Sequence, residues 1–218
     1  MIRHETFILY RSMHIAVLVY GRLNRCVEHY DNIRLTLGEN NNVDFFVSSD
    51  NSPESLLNDF IHLYKPILYV NNPVQYDYDL SKYPGKRPET NIHNMTCHFI
   101  NKYRVFKLLE EHVNQNNIHY DCVVSLRIDC LFQDKFDFTS VDDNTIYIPS
   151  GYDFIDWAIN DQVAYGKTDV MKKYNSLNAV ELLDKQLSIP HPESLNFANI
   201  KFHKLNIVRP CIKYYLDR

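Results

Sequence analysis

Glycine is scarce in this chain, at 5 of 218 residues, and no two of them lie close together. That excludes the Gly-rich phosphate loops of Rossmann and P-loop proteins, because neither GxGxxG nor GxxxxGK[ST] can be written. Excess basic charge is also missing: the net charge is −4 and the isoelectric point is near 6.2. No global field for nucleic acid follows from such a balance, although a local basic pocket for phosphate remains open. Paired cysteine motifs are absent too. The five cysteines (Cys26, Cys97, Cys122, Cys130 and Cys211) are odd in number and include no CxxC, so neither a disulfide framework nor a zinc site is suggested. No apolar run approaches the roughly 20 residues of a membrane span, and Phe7–Tyr10 is too short for the core of a signal peptide. The expectation is a protein of a reducing cytoplasm, with residues 1–12 as an N-terminal extension and 13–218 as a single domain.

What remains is an ordinary globular composition, 45% hydrophobic and 23% charged. Tyrosine is abundant at 16, alongside much Asn and Ile. That is the usage of an AT-rich genome and points to a large DNA virus or an AT-rich bacterium; if viral, the compartment is the host cytoplasm.

His14–Tyr20 is nearly continuously apolar and reads as a central strand buried on both faces. A helix follows over about 24–37, stopped by Gly38. Val43–Ser48 reads as the second strand. Ser52, Pro53 and Glu54 supply a helix start, and Pro66–Val70 reads as the third strand. This β-α-β-α-β order implies a parallel sheet with right-handed crossovers. Residues 71–90 carry three prolines and the triplet Asp77-Tyr78-Asp79, which reads as a mobile flap. The longest helical pattern spans about 91–117, with Ile92, Met95, Phe99, Tyr103, Phe106, Leu109 and Val113 on its core stripe. It feeds a buried strand at Cys122–Leu126. A polar hairpin-like region, a strand at Thr145–Pro149, a helix-like stretch opened by Asn160-Asp161-Gln162, helices over 170–187 and from Pro192, and a last strand at Leu205–Arg209 complete the chain. The fold class is α/β: a mixed, mostly parallel sheet of six or seven strands flanked by helices.

Ligands of open α/β sheets sit beyond the carboxyl ends of the strands. Arg127 and Asp129 follow the buried strand at such a place, where the Asp can bind a divalent cation or the pair can be a surface ion pair. Gly21-Arg22-Leu23-Asn24-Arg25 ends the first strand at a helix start, which suits an anion. Asp161 reads either as a helix cap or as a general base. Tyr152, Phe154 and Trp157 offer faces for sugar rings. Asp77, Asp79, His191 and His203 are weaker candidates for metal or phosphate, and His98 and Arg104 could face a nucleotide from the long helix.

In order and spacing these pieces resemble small GT-A-type glycosyltransferases of capsule, lipopolysaccharide and large-DNA-virus glycan pathways. The matching residues are Gly21–Arg25, Asp44-Phe45-Phe46, Tyr120 through Asp129 in the form Tyr-Asp-x-Val-x-x-x-Arg-x-Asp, Asn160 through Gly166, and Pro192, Glu193, Leu195, Val208 and Tyr214. The resemblance implies a GT-A-like single domain and transfer of a sugar from a UDP- or GDP-linked donor to a hydroxyl of a glycan acceptor, assisted by Mn²⁺ or Mg²⁺. Asp129 would stand for the last Asp of the family's DxD motif and hold the metal, with Asp77, Asp79 or His191 as alternatives; Arg127 replaces the first Asp. The donor set it implies is Tyr20, Gly21, Arg22, Arg25, Ser48, Asp50, Arg104, Arg127 and Asp129. Asp161 would be the catalytic base, with Trp157, Asn160 and Gln162 at the acceptor. A non-catalytic glycan- or nucleotide-binding domain and a nucleotidyltransferase are the competing functions; the second suits the glycine-poor sequence badly.

Overall fold

The five residues Ile15–Val19 are completely buried, and the rest of the molecule is laid around them. In the computed structural model, which describes residues 12–85, 87–153 and 158–217, they form most of β1 (His14–Tyr20). Their side chains point alternately to two separate cores. Ile15, Val17 and Val19 face one that contains Leu23, Ile33, Phe60 and Tyr64. Ala16, Leu18 and Tyr20 face another that contains Val105, Phe106, Met171 and Tyr174. Burial on both faces is why the segment is apolar throughout instead of alternating. Each of the large aliphatic side chains contributes about 1.5–3 kcal/mol.

The sheet has seven strands in the order β3-β2-β1-β4-β7-β6-β8. β2 (Asn42–Ser49) and β4 (Cys122–Leu126) flank β1 in parallel. β3 (Leu68–Asn71) extends it beyond β2, also in parallel. β7 (Val163–Gly166) then runs antiparallel to β4, and β6 (Thr145–Tyr147) antiparallel to β7. β8 (Asn206–Val208) closes that edge parallel to β6. Helices α1 (Cys26–Leu37) and α2 (Glu54–Tyr64) supply the first core. Helices α3 (Ile92–Asn116), α4 (Thr168–Asn175) and α6 (Pro192–Phe202) supply the second. The short α5 (Ala179–Asp184) joins a third, smaller cluster with Leu80, Met95, Phe99 and Leu195. The result is one α/β domain with a mostly parallel sheet between helical layers.

Four local expectations are corrected. The stretch after Asn160-Asp161-Gln162 is strand β7, not helix: its four residues are all buried and pair with β4 from Leu126↔Val163 to Val123↔Gly166. A run that short cannot display a helical period. The region after β4 is no local hairpin either. β5 (Cys130–Phe132) pairs with β9 (Tyr214–Leu216) at the far end of the chain. Ser52 does not cap α2, whose N-cap is Pro53; its hydroxyl instead accepts from Leu23 N and meets Ser49, tying the loops after β1 and β2 together. Finally, residues 71–85 are pinned and not a free flap. Leu80 is buried, Asn72 O accepts from Arg104, and the Tyr83 hydroxyl donates to Asp184. The N-terminal extension lies outside the described residues except for Ser12.

Candidate active site

The antiparallel step from β4 to β7 brings together two segments that are far apart in sequence. β4 ends at Leu126 and β7 begins at Val163, directly opposite. One residue further out, Arg127 N donates to Gln162 O at 3.0 Å. Arg127–Asp129 and Asn160–Gln162 therefore share the carboxyl edge of the parallel strands. Gly21 lies at the same edge, and its N donates to Ser48 O. Its φ of +94° is a backbone position that favours glycine, so this glycine serves the turn after β1.

Asp161 is the most enclosed acid of the group, with 4% of its surface exposed. Its backbone carbonyl accepts from the Tyr20 hydroxyl at 2.7 Å. Its Oδ2 lies 3.2 Å from His98 Nε2, off the hydrogen-bond direction. His98 stands edge-on to the Tyr20 ring at 5.1 Å. One helical turn further along α3 is Lys102, 1% exposed. Its ammonium donates to Asn196 Oδ1 at 3.3 Å and sits 3.7 Å over the Tyr174 ring. Burial pushes the Lys102 pKa down to about 7, against the opposing pull of Asp161. Burial likewise pushes His98 down to about 4, again opposed by Asp161. At neutral pH the site thus holds a neutral imidazole and an ammonium poised to lose its proton, both beside a carboxylate.

Arg127 grips Asp129 with two bonds, Nε to Oδ1 at 3.1 Å and Nη2 to Oδ2 at 2.5 Å. Such a fork is the strong form of the pair. The Asp129 backbone carbonyl accepts from Asp217 N, so the chain's last turn braces this loop. Gln162 Oε1 accepts from the Tyr214 hydroxyl at 2.8 Å. Asn160 donates to the carbonyls of Pro149 and Gly151 and is completely buried.

The remaining expected residues scatter. Tyr20 and Ser48 are buried, the first on the Asp161 and Gln162 carbonyls and the second on Asn101, so both are supports behind the edge. Arg22 is exposed. Arg25 stands at the N-cap position of α1 without a side-chain capping bond and lies within 4 Å of Glu28 and Asp217. Arg104 braces Asn72. Asp50 accepts from Val74 N and turns toward α3. Asp77 and Asp79 are exposed, and Asp79 accepts from Ser81 N. His191 Nδ1 lies 3.1 Å from Glu193. Trp157 and Phe154 lie outside the described residues. Sequence reasoning missed Lys102 altogether. Its signal was present: Met95, Phe99, Lys102, Phe106 and Leu109 step by four and three along one face of α3, and a charge in such a stripe needs a buried partner.

No family model and no curated protein matches the sequence. Solved structures do. The galactosyltransferase LgtC in complex with donor and acceptor sugar analogues is 15% identical, with a TM-score of 0.50. An active-site mutant of LgtC is 14% identical, with a TM-score of 0.51. Each comparison covers 86% of this chain and 70% of the other. The fold is GT-A-like. At this identity the likeness is one of fold, and the chemistry has to be argued from the side chains.

The resemblance implied Mn²⁺ or Mg²⁺ at Asp129. These residues do not fit that ion. Both Asp129 oxygens already face the Arg127 guanidinium. Among the described residues no pair of His, Cys or acidic side chains joins Asp129 in reach of one ion. A hard divalent cation wants several oxygen ligands, whereas this position offers one carboxylate and a fixed positive charge.

Proposed function

We propose that the chain is a glycosyltransferase that moves a sugar from a nucleotide-diphosphate donor, UDP- or GDP-linked, to a hydroxyl of a glycan acceptor. The observation that carries the reading is the single hydrogen bond from Arg127 N to Gln162 O. It ties the segment that carries Arg127, with its guanidinium paired to Asp129, to the segment that carries the enclosed Asp161, at the carboxyl end of the parallel strands of a GT-A-like sheet. Arg127 has the shape and permanent charge to bind a diphosphate, and Asp129 holds it in orientation. Asp161 is the acid or base candidate.

In the proposed step the acceptor oxygen forms a bond to the anomeric carbon as its proton passes to Asp161. The bond from that carbon to the diphosphate oxygen breaks, and the nucleoside diphosphate leaves with the electron pair. Arg127 offsets the charge that develops on the leaving group, which is the kind of electrostatic aid that most lowers such barriers. Neutral His98, 3.2 Å from Asp161, and buried Lys102 set the electrostatic surroundings of that side chain. No step is routed through a metal at Asp129.

Thermal denaturation with UDP, GDP and their sugars, in the presence of EDTA, tests this reading. A ligand at a hundredfold excess over Kd stabilises by about 2.7 kcal/mol. At least one nucleoside diphosphate should do so with EDTA present, and Arg127→Met should lose the effect. Absence of stabilisation by every nucleotide would overturn the proposal.

A further inference from the structure

A cluster of a different character lies where the loop after β2 meets the start of α3. Asp50, in the loop after β2, meets His93 and Cys97 in the first two turns of α3. One ligand atom from each lies within 4.8 Å of the other two. His93 and Cys97 are four residues apart on a helix and so share one face.

We propose that Asp50, His93 and Cys97 form a zinc site with three protein ligands and an open fourth position. The three donors are close enough to converge on one ion. Zinc lies about 2.3 Å from a thiolate and about 2.0 Å from an imidazole nitrogen, and at a tetrahedral angle those bonds separate S and N by about 3.5 Å. Cys97 Sγ lies 3.6 Å from His93 Nε2 and 3.9 Å from Nδ1, beside the ring, so the exposed His93 ring has to turn to aim Nε2 at an ion bound to the sulfur. The outer partners fit as well. His93 Nδ1 is 2.9 Å from the Tyr76 hydroxyl, which leaves Nε2 as the ligand atom; a second contact of this kind orients most metal-binding histidines. Val74 N holds Asp50 Oδ1 at 2.9 Å and leaves the other oxygen for the ion. Cys97 is buried while His93 is exposed, so the site has a closed floor and an open mouth.

The donor set decides the metal class. One sulfur and one imidazole select zinc or another borderline-to-soft ion over Mg²⁺ or Mn²⁺, which prefer oxygen. Because Val74 and Tyr76 supply the outer partners, bound zinc clamps residues 74–76 against β2 and α3. The proposal does not depend on the transferase reading, since binding can be measured without a donor or an acceptor.

Titration of the full chain with Co²⁺ as a spectroscopic stand-in, followed by competition with Zn²⁺, is the test. One equivalent should give a thiolate-to-cobalt absorption band that zinc abolishes. Cys97→Ser should remove the band, and Cys211→Ser, at the exposed cysteine, should keep it. His93→Ala, at an exposed position, should weaken zinc binding at least tenfold, and Tyr76→Phe about tenfold. A wild-type chain without the band, a band that survives Cys97→Ser, or His93→Ala binding zinc as tightly as wild type would each overturn the proposal.

Discussion

Replacing Lys102 by methionine removes a charge and keeps most of the volume, so its effect should depend on pH in a calculable way. The folded chain holds Lys102 at a pKa of about 7, against an ordinary 10.5, because the side chain is buried. Below pH 7 both folded and unfolded chains carry the proton, and folding bears the full cost of the buried charge. Between pH 7 and 10.5 the unfolded chain still binds the proton and the folded chain does not, so stability rises with pH. At about 1.4 kcal/mol per pH unit, the 3.5 units amount to about 5 kcal/mol. Lys102→Met has no such proton, and the other titrating groups are common to both proteins. Urea denaturation of both at fixed pH values should show the stability of wild type relative to Lys102→Met rising by about that amount from pH 7 to 10.5. A flat difference over this range would refute the reasoning, because it would mean that the ammonium keeps its ordinary proton affinity inside the fold.

His98 should show the same sign at lower pH. Its folded pKa of about 4, against 6.5, means that acidification through this interval costs about 3 kcal/mol; denaturation of His98→Gln should show a flatter acid limb, and identical limbs would count against the buried imidazole. Leu18→Ala, at a completely buried position in the second core, should lose about 2–5 kcal/mol by chemical denaturation. At Gly166 an added Cβ would lie 3.1 Å from Thr145 O and 3.2 Å from Val170 Cγ1. Gly166→Ala should therefore cost about 1–3 kcal/mol by the same measurement, with little change in nucleotide binding.

The parallel half of the sheet was legible because its strands are long apolar runs and its crossovers are helices with clear periods. The antiparallel half was harder. β7 is four residues long and β5 three, and the partner of β5 lies more than 80 residues further along the chain, so no local pattern announces it. The candidate site was legible where a strand end carries charge, at Arg127 and Asp129; Asp161 was singled out too, but at an expected helix start that is the approach to β7. It was illegible where a side chain's role depends on what lies behind it. Tyr20 and Ser48 end strands at the right edge yet spend their hydroxyls inward. Arg25 sits at a helix start yet turns to Asp217, which only the return of β9 brings near. Lys102 was hidden by the habit of reading a helix stripe as core, and His93 and Cys97 by the absence of any local ligand pattern with Asp50.

The most direct test is donor turnover. The chain should be incubated with a panel of UDP- and GDP-linked sugars and glycan acceptors in the presence of EDTA, and released nucleoside diphosphate measured by mass spectrometry. The account predicts release from at least one donor without metal, falling roughly 10²–10⁴-fold in Asp161→Asn. No release from any donor, or an Asp161→Asn rate equal to that of wild type, would contradict it.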